Sequence, residues 1–147
     1  MTTRRRLQTR FSNADDSTGL VLWRVTNAWQ AAQRRTLKPF GLTHVQFVLL
    51  ASVSWFPEPP TQKELAQHAG TDPMMTSQVL RALEQKGLIQ RLPHPHDGRA
   101  RMLAVTEQGR LLADQAVGAV EASDQEFFAA LGRDQARFTA MLQQLTT

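Results

Sequence analysis

Apolar residues repeat at three- and four-residue spacing over much of the chain, and this spacing predicts amphipathic helices. The first helix is predicted from Ser17 to about Lys38, where a proline and a glycine follow. Its apolar side consists of Leu22, Val25, Trp29 and Ala32. Residues 1–16 show no such periodicity and contain a triple arginine at positions 4–6, so they are predicted to form a mobile basic arm.

Two short helices joined by a glycine-containing turn are predicted in the middle of the chain. A more uniformly apolar helix from Thr43 to about Trp55 precedes them and ends at the proline-rich segment 57–60. The first short helix follows Thr61, and the second begins after Asp72, which stands in the position of an N-cap. This order of elements is the sequence form of a helix-turn-helix.

Two short strands are predicted directly after the second of these helices, which ends at Gly87. The strands cover Leu88 to Leu92 and Arg101 to Val105, and the link between them is polar, basic and rich in turn residues. A β-hairpin appended to a helix-turn-helix is a wing. The predicted fold class is therefore mainly α-helical with a small β-hairpin, a winged helix-turn-helix.

A long helix is predicted to follow Thr106, and Gly132 divides it from a last helix. The inner positions of the long helix are Leu112, Ala116, Val120, Ser123, Phe127 and Leu131. The last helix carries Phe138, Met141, Leu142 and Leu145. A single protomer has too little structure around the terminal helices to bury this many apolar residues. These helices are therefore expected to form the interface of a homodimer.

The chain is accordingly predicted to hold one domain over residues 17–147. Residues 43–106 form the winged helix-turn-helix, and residues 17–42 and 107–147 form dimerisation helices. A chain of 147 residues with 41% hydrophobic residues suffices for one such core and is too short for two.

Composition narrows the class of protein further. The net charge is +4, and residues 1–50 carry eight basic side chains against two acidic ones, which is compatible with a polyanionic partner. No apolar run approaches the roughly 20 residues that span a bilayer, and no signal peptide is visible, so a soluble cytoplasmic protein is expected. The absence of cysteine excludes disulfides and thiolate metal sites.

The second short helix carries a face suited to reading DNA. At about 100° per residue, Met74, Gln78 and Arg81 project opposite the apolar side, with Ser77 beside them. Arginine can bridge the two acceptors of guanine, glutamine can pair with adenine, and methionine can touch a thymine methyl group. For an isolated helix a solvated surface would be the preferred interpretation. The neighbouring turn and basic hairpin favour DNA binding instead.

The predicted hairpin supplies further basic residues. Arg99 follows Asp97 by two positions at the hairpin tip, where the carboxylate could hold the guanidinium as it reaches into the minor groove. Arg91 and Arg101 lie on the strands, where they could meet phosphates. The alternative is ordinary turn chemistry with solvated arginines.

Neither a metal site nor a catalytic site is predicted. His94 and His96 stand beside Asp97, but no third histidine or thiolate lies near in sequence, so exposure or phosphate contact is favoured over ligation. No phosphate-binding glycine loop, nucleophile motif or paired histidine motif is present. The sequence predicts no cofactor and no enzymatic activity.

From about Ser17 to the C-terminus the sequence resembles the MarR family of bacterial and archaeal regulators. Three stretches carry the likeness, namely residues 41–50, residues 61–89 and residues 97–109. The resemblance implies a triangular homodimer that places two winged helices on the half-sites of a palindromic operator in double-stranded DNA. It also implies, for many members, release of DNA when a small aromatic or anionic ligand enters a crevice between the dimerisation and DNA-binding parts.

Individual positions match the family unevenly. Asp97 and Arg99 match the Asp-x-Arg of its wing, and Ser77 matches a small polar position of its recognition helix. Gln78 stands where an arginine is common, and the lack of cysteine argues against the branch that senses organic peroxides. The large side chains near the expected crevice are Trp23, Trp29, His44, Phe47 and Trp55. Core or dimer positions are the preferred interpretation for each of them, because large aromatic residues dominate ordinary cores, and no set of ligand-binding residues is predicted.

The function predicted from the sequence is that of a sequence-specific transcriptional regulator, a repressor released by a ligand. Two alternatives stay open at this point. One is a winged helix that binds protein, since a fold does not fix a function. The other is a DNA-binding regulator that responds to no ligand.

Overall fold

The computed structural model describes residues 7–146. The triple arginine at positions 4–6, which belongs to the predicted basic arm, therefore lies outside the described residues. Its helices are α1 (Thr18–Leu37), α2 (His44–Val53), α3 (Gln62–Ala69), α4 (Pro73–Gln85), α5 (Glu107–Phe127) and α6 (Gln135–Gln144). Its strands are β1 (Ile89–Pro93) and β2 (Arg101–Val105), and 3-10 turns form at Ala14–Asp16, Lys38–Phe40 and Ala129–Asp134. The first of these turns lies inside the segment predicted as an arm.

Local side-chain chemistry starts the helices where the sequence predicts. Thr43 and Gln46 form a complete capping box at α2, and Thr61 forms another at α3. At α4 the Asp72 carboxylate accepts a hydrogen bond from the Met75 backbone N–H at 2.9 Å. Each cap satisfies backbone donors that the first turn of a helix leaves without partners.

Several predicted boundaries are corrected by the structure. Helix α2 ends at Val53 instead of Trp55, and β1 runs one residue later than predicted. Helix α5 ends at Phe127, so Leu131 does not extend its inner stripe. The chain turns there through a 3-10 segment in which Gly132 has a φ of 54°, a conformation that favours glycine.

The hairpin is joined to the helical body through the middle of β2. Strands β1 and β2 pair antiparallel from Ile89 opposite Val105 to Pro93 opposite Arg101. The Leu103 N–H donates to the Pro60 carbonyl at 2.8 Å, which joins β2 to the segment before α3. We call the two strands and their link, residues 94–100, the wing. The bond from Leu103 to Pro60 fixes β2 relative to the start of α3.

One apolar core joins the helix-turn-helix to α1, α2 and α5. Its buried members include Leu37, Leu49, Leu50, Leu65, Leu80, Leu83, Leu103 and Ala116. The apolar stripe predicted for α1 is only partly covered, since Leu22 and Val25 are exposed. On α6, Met141, Leu142 and Leu145 are exposed as well. The ends of the chain thus keep apolar surface that a single protomer does not bury.

Within the described residues, no helix is both long and apolar enough to cross a membrane.

Candidate nucleic-acid interface

Helix α4 presents an uncovered face built from residues that can read base edges. Thr76, Leu80 and Leu83 are buried and fix the inner side of the helix. Met74, at 71% exposure, and the exposed Gln78 and Arg81 lie on the other side. The packing of the inner side therefore determines which side chains are presented to a DNA groove.

Ser77 and Arg81 are linked on this face of α4. They lie four residues apart, and the Arg81 Nη2 group donates to the Ser77 Oγ atom at 3.3 Å. Ser77 is half-buried, whereas Arg81 is exposed. The bond is long and involves one of the five guanidinium donors, so the rest stay available to a partner.

At the tip of the wing, Asp97 and Arg99 interact differently from the sequence-based expectation. Asp97 Oδ1 accepts from the backbone N–H of Arg99 at 3.0 Å, as a short polar side chain does in a turn. The carboxylate therefore orders the backbone and does not hold the guanidinium. Within residues 7–146 the exposed Arg99 side chain has neither a hydrogen-bond nor an ion-pair partner, so its charge is available to a phosphate or a groove.

The other two arginines of the predicted interface are engaged within the chain. Arg91 forms an ion pair with Glu84 at 3.1 Å and donates to Gln62 at 3.2 Å, which ties β1 to α4 and α3. Arg101 Nη1 lies 3.4 Å and 3.3 Å from the carbonyl oxygens of Gly98 and Ala100. Arg91 thus cross-links the winged helix, and phosphate binding by either arginine stays a prediction.

The histidines of the wing are arranged as a turn. The His96 backbone N–H donates to the His94 Nδ1 atom at 3.0 Å, and the two ring centroids are 6.3 Å apart. Among residues 7–146, no group of three or more histidine or acidic side chains is placed to hold a metal ion.

The large side chains proposed for a crevice do not come together as one group. Phe47 is buried in the core, whereas Trp23 and Trp55 are exposed at 67% and 78%. Only Trp29 and His44 meet, with ring centroids 5.0 Å apart in an edge-to-face arrangement. These five side chains were candidates for a crevice, with core or dimer positions preferred for each, and the burial of Phe47 agrees with the core interpretation for that residue.

A polar cluster that the sequence did not reveal surrounds this aromatic pair. Asp124 on α5 accepts from Trp29 Nε1 at 2.8 Å and from Gln33 Nε2 at 2.7 Å, which joins α5 to α1. Partial burial lowers the pKa of His44 below its usual value of 6.5, the nearby Asp124 charge opposes this shift, and Arg34 adds to it. Gln33 and Asp124 are 91 positions apart, so no local pattern could indicate their contact.

A crevice of about 840 Å³ lies elsewhere, between the end of α1, the start of α2 and the helix-turn-helix. His44 lines it, but the other four proposed side chains do not. Its basic residues are Arg34, Lys38 and Lys86, none of which was singled out from the sequence. Arg34 lies in the last turn of α1 and Lys38 directly follows that helix, so their four-residue spacing was the available signal.

The fold and the exposed face of α4 define a winged helix-turn-helix DNA-binding protein. Residues 42–100 match the model of the MarR family. The chain is 42% identical over 139 residues to the uncharacterized HTH-type transcriptional regulator YdcH of Bacillus subtilis (strain 168), covering 92% of this chain and 94% of that protein. This protein belongs to the MarR family of transcriptional regulators, as its sequence indicated.

Solved structures agree with this assignment. The Mycobacterium tuberculosis MarR family protein Rv2887, in complex with salicylic acid, has a TM-score of 0.69 at 34% identity and covers 91% of this chain and 98% of its own. The transcriptional repressor CouR, bound to a 23-mer DNA duplex, has a TM-score of 0.85 at 25% identity, and the match covers 96% of this chain and 100% of the CouR chain. The mainly helical fold with one hairpin is thereby confirmed, and the chain is a DNA-binding transcriptional regulator.

Proposed function

We propose that this protein is a homodimeric repressor that binds a palindromic operator and releases it on binding a small aromatic or anionic ligand. It is not an enzyme in this proposal. The observation that carries the proposal is the uncovered, groove-compatible face of α4 beside the partnerless guanidinium of Arg99. The relatives add support, since Rv2887 is named a repressor and CouR was solved on duplex DNA.

Specific reading of the operator is assigned to α4. Arg81 can donate two hydrogen bonds to guanine, Gln78 can pair with adenine, and Met74 can contact a thymine methyl group. The wing adds Arg99 to the minor groove or the phosphates, with Asp97 ordering its backbone. The base contacts made by α4 discriminate between DNA sequences, whereas phosphate contacts made by the wing chiefly add salt-dependent affinity.

Dimerisation is assigned to residues 17–42 and 107–147, which flank the winged helix at residues 43–106. Exposed apolar side chains occur in both flanking regions, namely Val21, Leu22, Trp23, Val25, Met141, Leu142 and Leu145. A two-fold interface would bury the same patch on each protomer and present two copies of α4 about 34–36 Å apart. That spacing corresponds to one turn of DNA, which is why the operator is expected to be palindromic.

The test begins with selection of bound duplexes from a random pool by the full chain. Affinities of the wild type and of Gln78→Ala and Arg81→Ala are then measured on the selected site and on a scrambled duplex. Each substitution should weaken specific binding by about 1–3 kcal/mol and non-specific binding by less. Gln125→Ala and Arg133→Ala, at exposed positions in α5 and in the turn after it, serve as matched controls.

Failure to enrich any sequence would refute operator recognition and favour a protein-binding winged helix. Equal losses on selected and scrambled duplexes would show that Gln78 and Arg81 do not read bases. If the protein binds the selected DNA site and no small ligand changes that affinity, the proposed release by a ligand is refuted, and the protein is a regulator without an effector.

A further inference from the structure

Arg91 connects the wing to both helices of the helix-turn-helix through one guanidinium group. Its Nε atom donates to Glu84 Oε2 on α4 at 3.1 Å, and its Nη1 atom donates to Gln62 Oε1 on α3 at 3.2 Å. The Arg91 side chain is only 26% exposed. Because a guanidinium group is planar and holds its donors at fixed angles, this one side chain restrains β1 against two helices at once.

The register of the hairpin directs Arg91 toward the helices. Arg91 stands opposite Leu103 in the antiparallel pair, and side chains of directly opposite residues lie on the same face of a hairpin. Leu103 is fully buried, so this face is turned toward the helical body. Arg91 is therefore held on the inner face of the wing, whereas the exposed Arg99 at the tip has no partner in the described part of the chain.

The tip of the wing depends on its base for its position. Within residues 7–146, the hydrogen bonds of the link at residues 94–100 are all made inside the wing. Arg99 comes four residues before Leu103, which places it up to about 13 Å from the Arg91–Leu103 pair at about 3.3 Å per residue. A tilt of about 15° at this pair would displace Arg99 by about 3 Å, which is the length of a hydrogen bond.

Glu84 ties this base to the helix that reads DNA. It follows Arg81 by three positions on α4, so it lies beside the face assigned to base recognition. An acidic side chain at such a place repels the phosphates of DNA when it acts alone. The ion pair with Arg91 offsets that charge and joins α4 to β1.

We propose that Glu84 and Arg91 are positioning residues, whose ion pair sets the tilt of the wing relative to α4. With this tilt, Arg99 reaches DNA while the exposed face of α4 occupies the major groove. Glu84 and Arg91 themselves do not touch DNA. The contacts of the wing and of α4 are thereby coupled, and loss of the ion pair weakens specific binding although every contact residue is still present. This inference rests on the proposed recognition of an operator by α4 and the wing.

The sign of the effect of Glu84→Gln tests the proposal. Glutamine keeps the size of the side chain but removes its charge and hence the ion pair. We expect binding to the selected site to weaken by at least about 3-fold, and binding to the scrambled duplex to stay unchanged or to strengthen. Repulsion between Glu84 and the phosphates, without positioning, predicts tighter binding to both duplexes instead.

Glu107→Gln is the matched control. It removes the carboxylate of another exposed ion pair, with Arg110 at 2.8 Å, that lies on α5 outside both α4 and the wing. This variant should leave the ratio of the two affinities unchanged. A fall in that ratio as large as the one in Glu84→Gln would overturn the specific role of the pair between α4 and β1.

Arg91→Lys separates positioning from direct phosphate contact. Lysine keeps the positive charge, so a phosphate contact would survive and the affinity would stay within about 2-fold of the wild type. Positioning predicts a loss similar to that of Glu84→Gln, because one ammonium group does not reproduce the planar fork that joins Glu84 and Gln62. The double variant Glu84→Gln/Arg91→Lys should lose little more than either single variant, since both act on the same interaction.

A double-mutant cycle with Arg99 gives a readout that lower stability alone would not change. Arg99→Ala should weaken binding to the selected site by a factor at least about 3-fold smaller in the Glu84→Gln background than in the wild type, because the tip is already displaced. Equal factors in both backgrounds, or selected-site binding by Glu84→Gln as tight as that of the wild type, would overturn the inference. Arg99→Ala that binds like the wild type would also overturn it and leave base reading by α4 intact. A wild type that selects no DNA sequence would instead refute the proposed function.

Discussion

Gly109 marks a close approach between α5 and the start of the wing, and replacing it by alanine should destabilise the protein. Gly109 is buried in the first turn of α5. A Cβ atom at this position would overlap the Leu88 carbonyl oxygen and approach Val105 Cγ1 to 2.9 Å. The same carbonyl oxygen accepts the Thr106 N–H at 3.0 Å, so it cannot move without affecting the cap of α5.

The expected change in the free energy of unfolding is the sum of two destabilising terms and one stabilising term. Overpacking of this kind costs about 1–3 kcal/mol, and loss of the Thr106 to Leu88 hydrogen bond adds about 1 kcal/mol. Alanine in place of glycine inside a helix returns about 1 kcal/mol through its higher helix propensity. The net destabilisation expected for Gly109→Ala is therefore about 1–3 kcal/mol.

Gly118 offers a matched control in the same helix. A Cβ atom there would meet nothing within 4 Å, so Gly118→Ala should gain stability by about 0.5–1 kcal/mol. Urea unfolding of both variants and the wild type, at one protomer concentration, measures the difference. If Gly109→Ala is as stable as Gly118→Ala, the close contact between α5 and Leu88 is not rigid, and the steric reasoning fails.

Three further predictions concern the wing, the assembly and pH. Arg99→Ala should weaken DNA binding and lower the slope of log affinity against log salt by about one unit, whereas an unchanged slope would place the wing tip off the DNA. Light scattering at micromolar concentration should give the mass of a dimer, and a monomer would contradict the interface at the chain ends. The pKa of His44 is lowered in the folded state, so the unfolded state takes up the proton first as the pH falls through 6.5. Protonation therefore favours the unfolded state, and the free energy of unfolding decreases as the pH falls. His44→Gln should accordingly lose less stability than the wild type between about pH 7.5 and pH 5.5 in urea unfolding, and an equal loss would exclude His44 as the cause.

The order of the helices and the hairpin was predictable because their signals are local. Thr43, Thr61 and Asp72 cap helices through bonds to residues only three positions away, and proline and glycine end helices by their own backbone restrictions. The outward face of α4 was likewise predictable, since a period of about 3.6 residues places Gln78 and Arg81 opposite Leu83. These features together were enough to identify the family from the sequence.

The tertiary structure decided which side chains from distant parts of the chain meet. The sequence predicted an inner position for Trp29 on α1 but not its partner, and the packing of α1 on α5 brings its Nε1 group to Asp124. Arg91 was singled out from the sequence as a candidate for phosphate contact, but its pairing with Glu84 and Gln62 follows only from the approach of β1 to α3 and α4. Hydrophobic periodicity specifies which face of an element is buried, but it carries no information about which residues of another element lie opposite.

For Lys86, the sequence predicts the position in the helix, whereas only the tertiary structure determines the contacts. Its place at the end of the recognition helix follows from the sequence, because Gly87 stops the helix directly after it. Its bonds to Gly41 and Gln46, 45 and 40 positions earlier, depend on how the helix-turn-helix packs against the α1–α2 corner. Local hydrogen bonding and periodicity therefore determined the elements and their exposed faces. The crevice and its cations were decided by the packing angles between helices, which depend on the fit of many side chains at once.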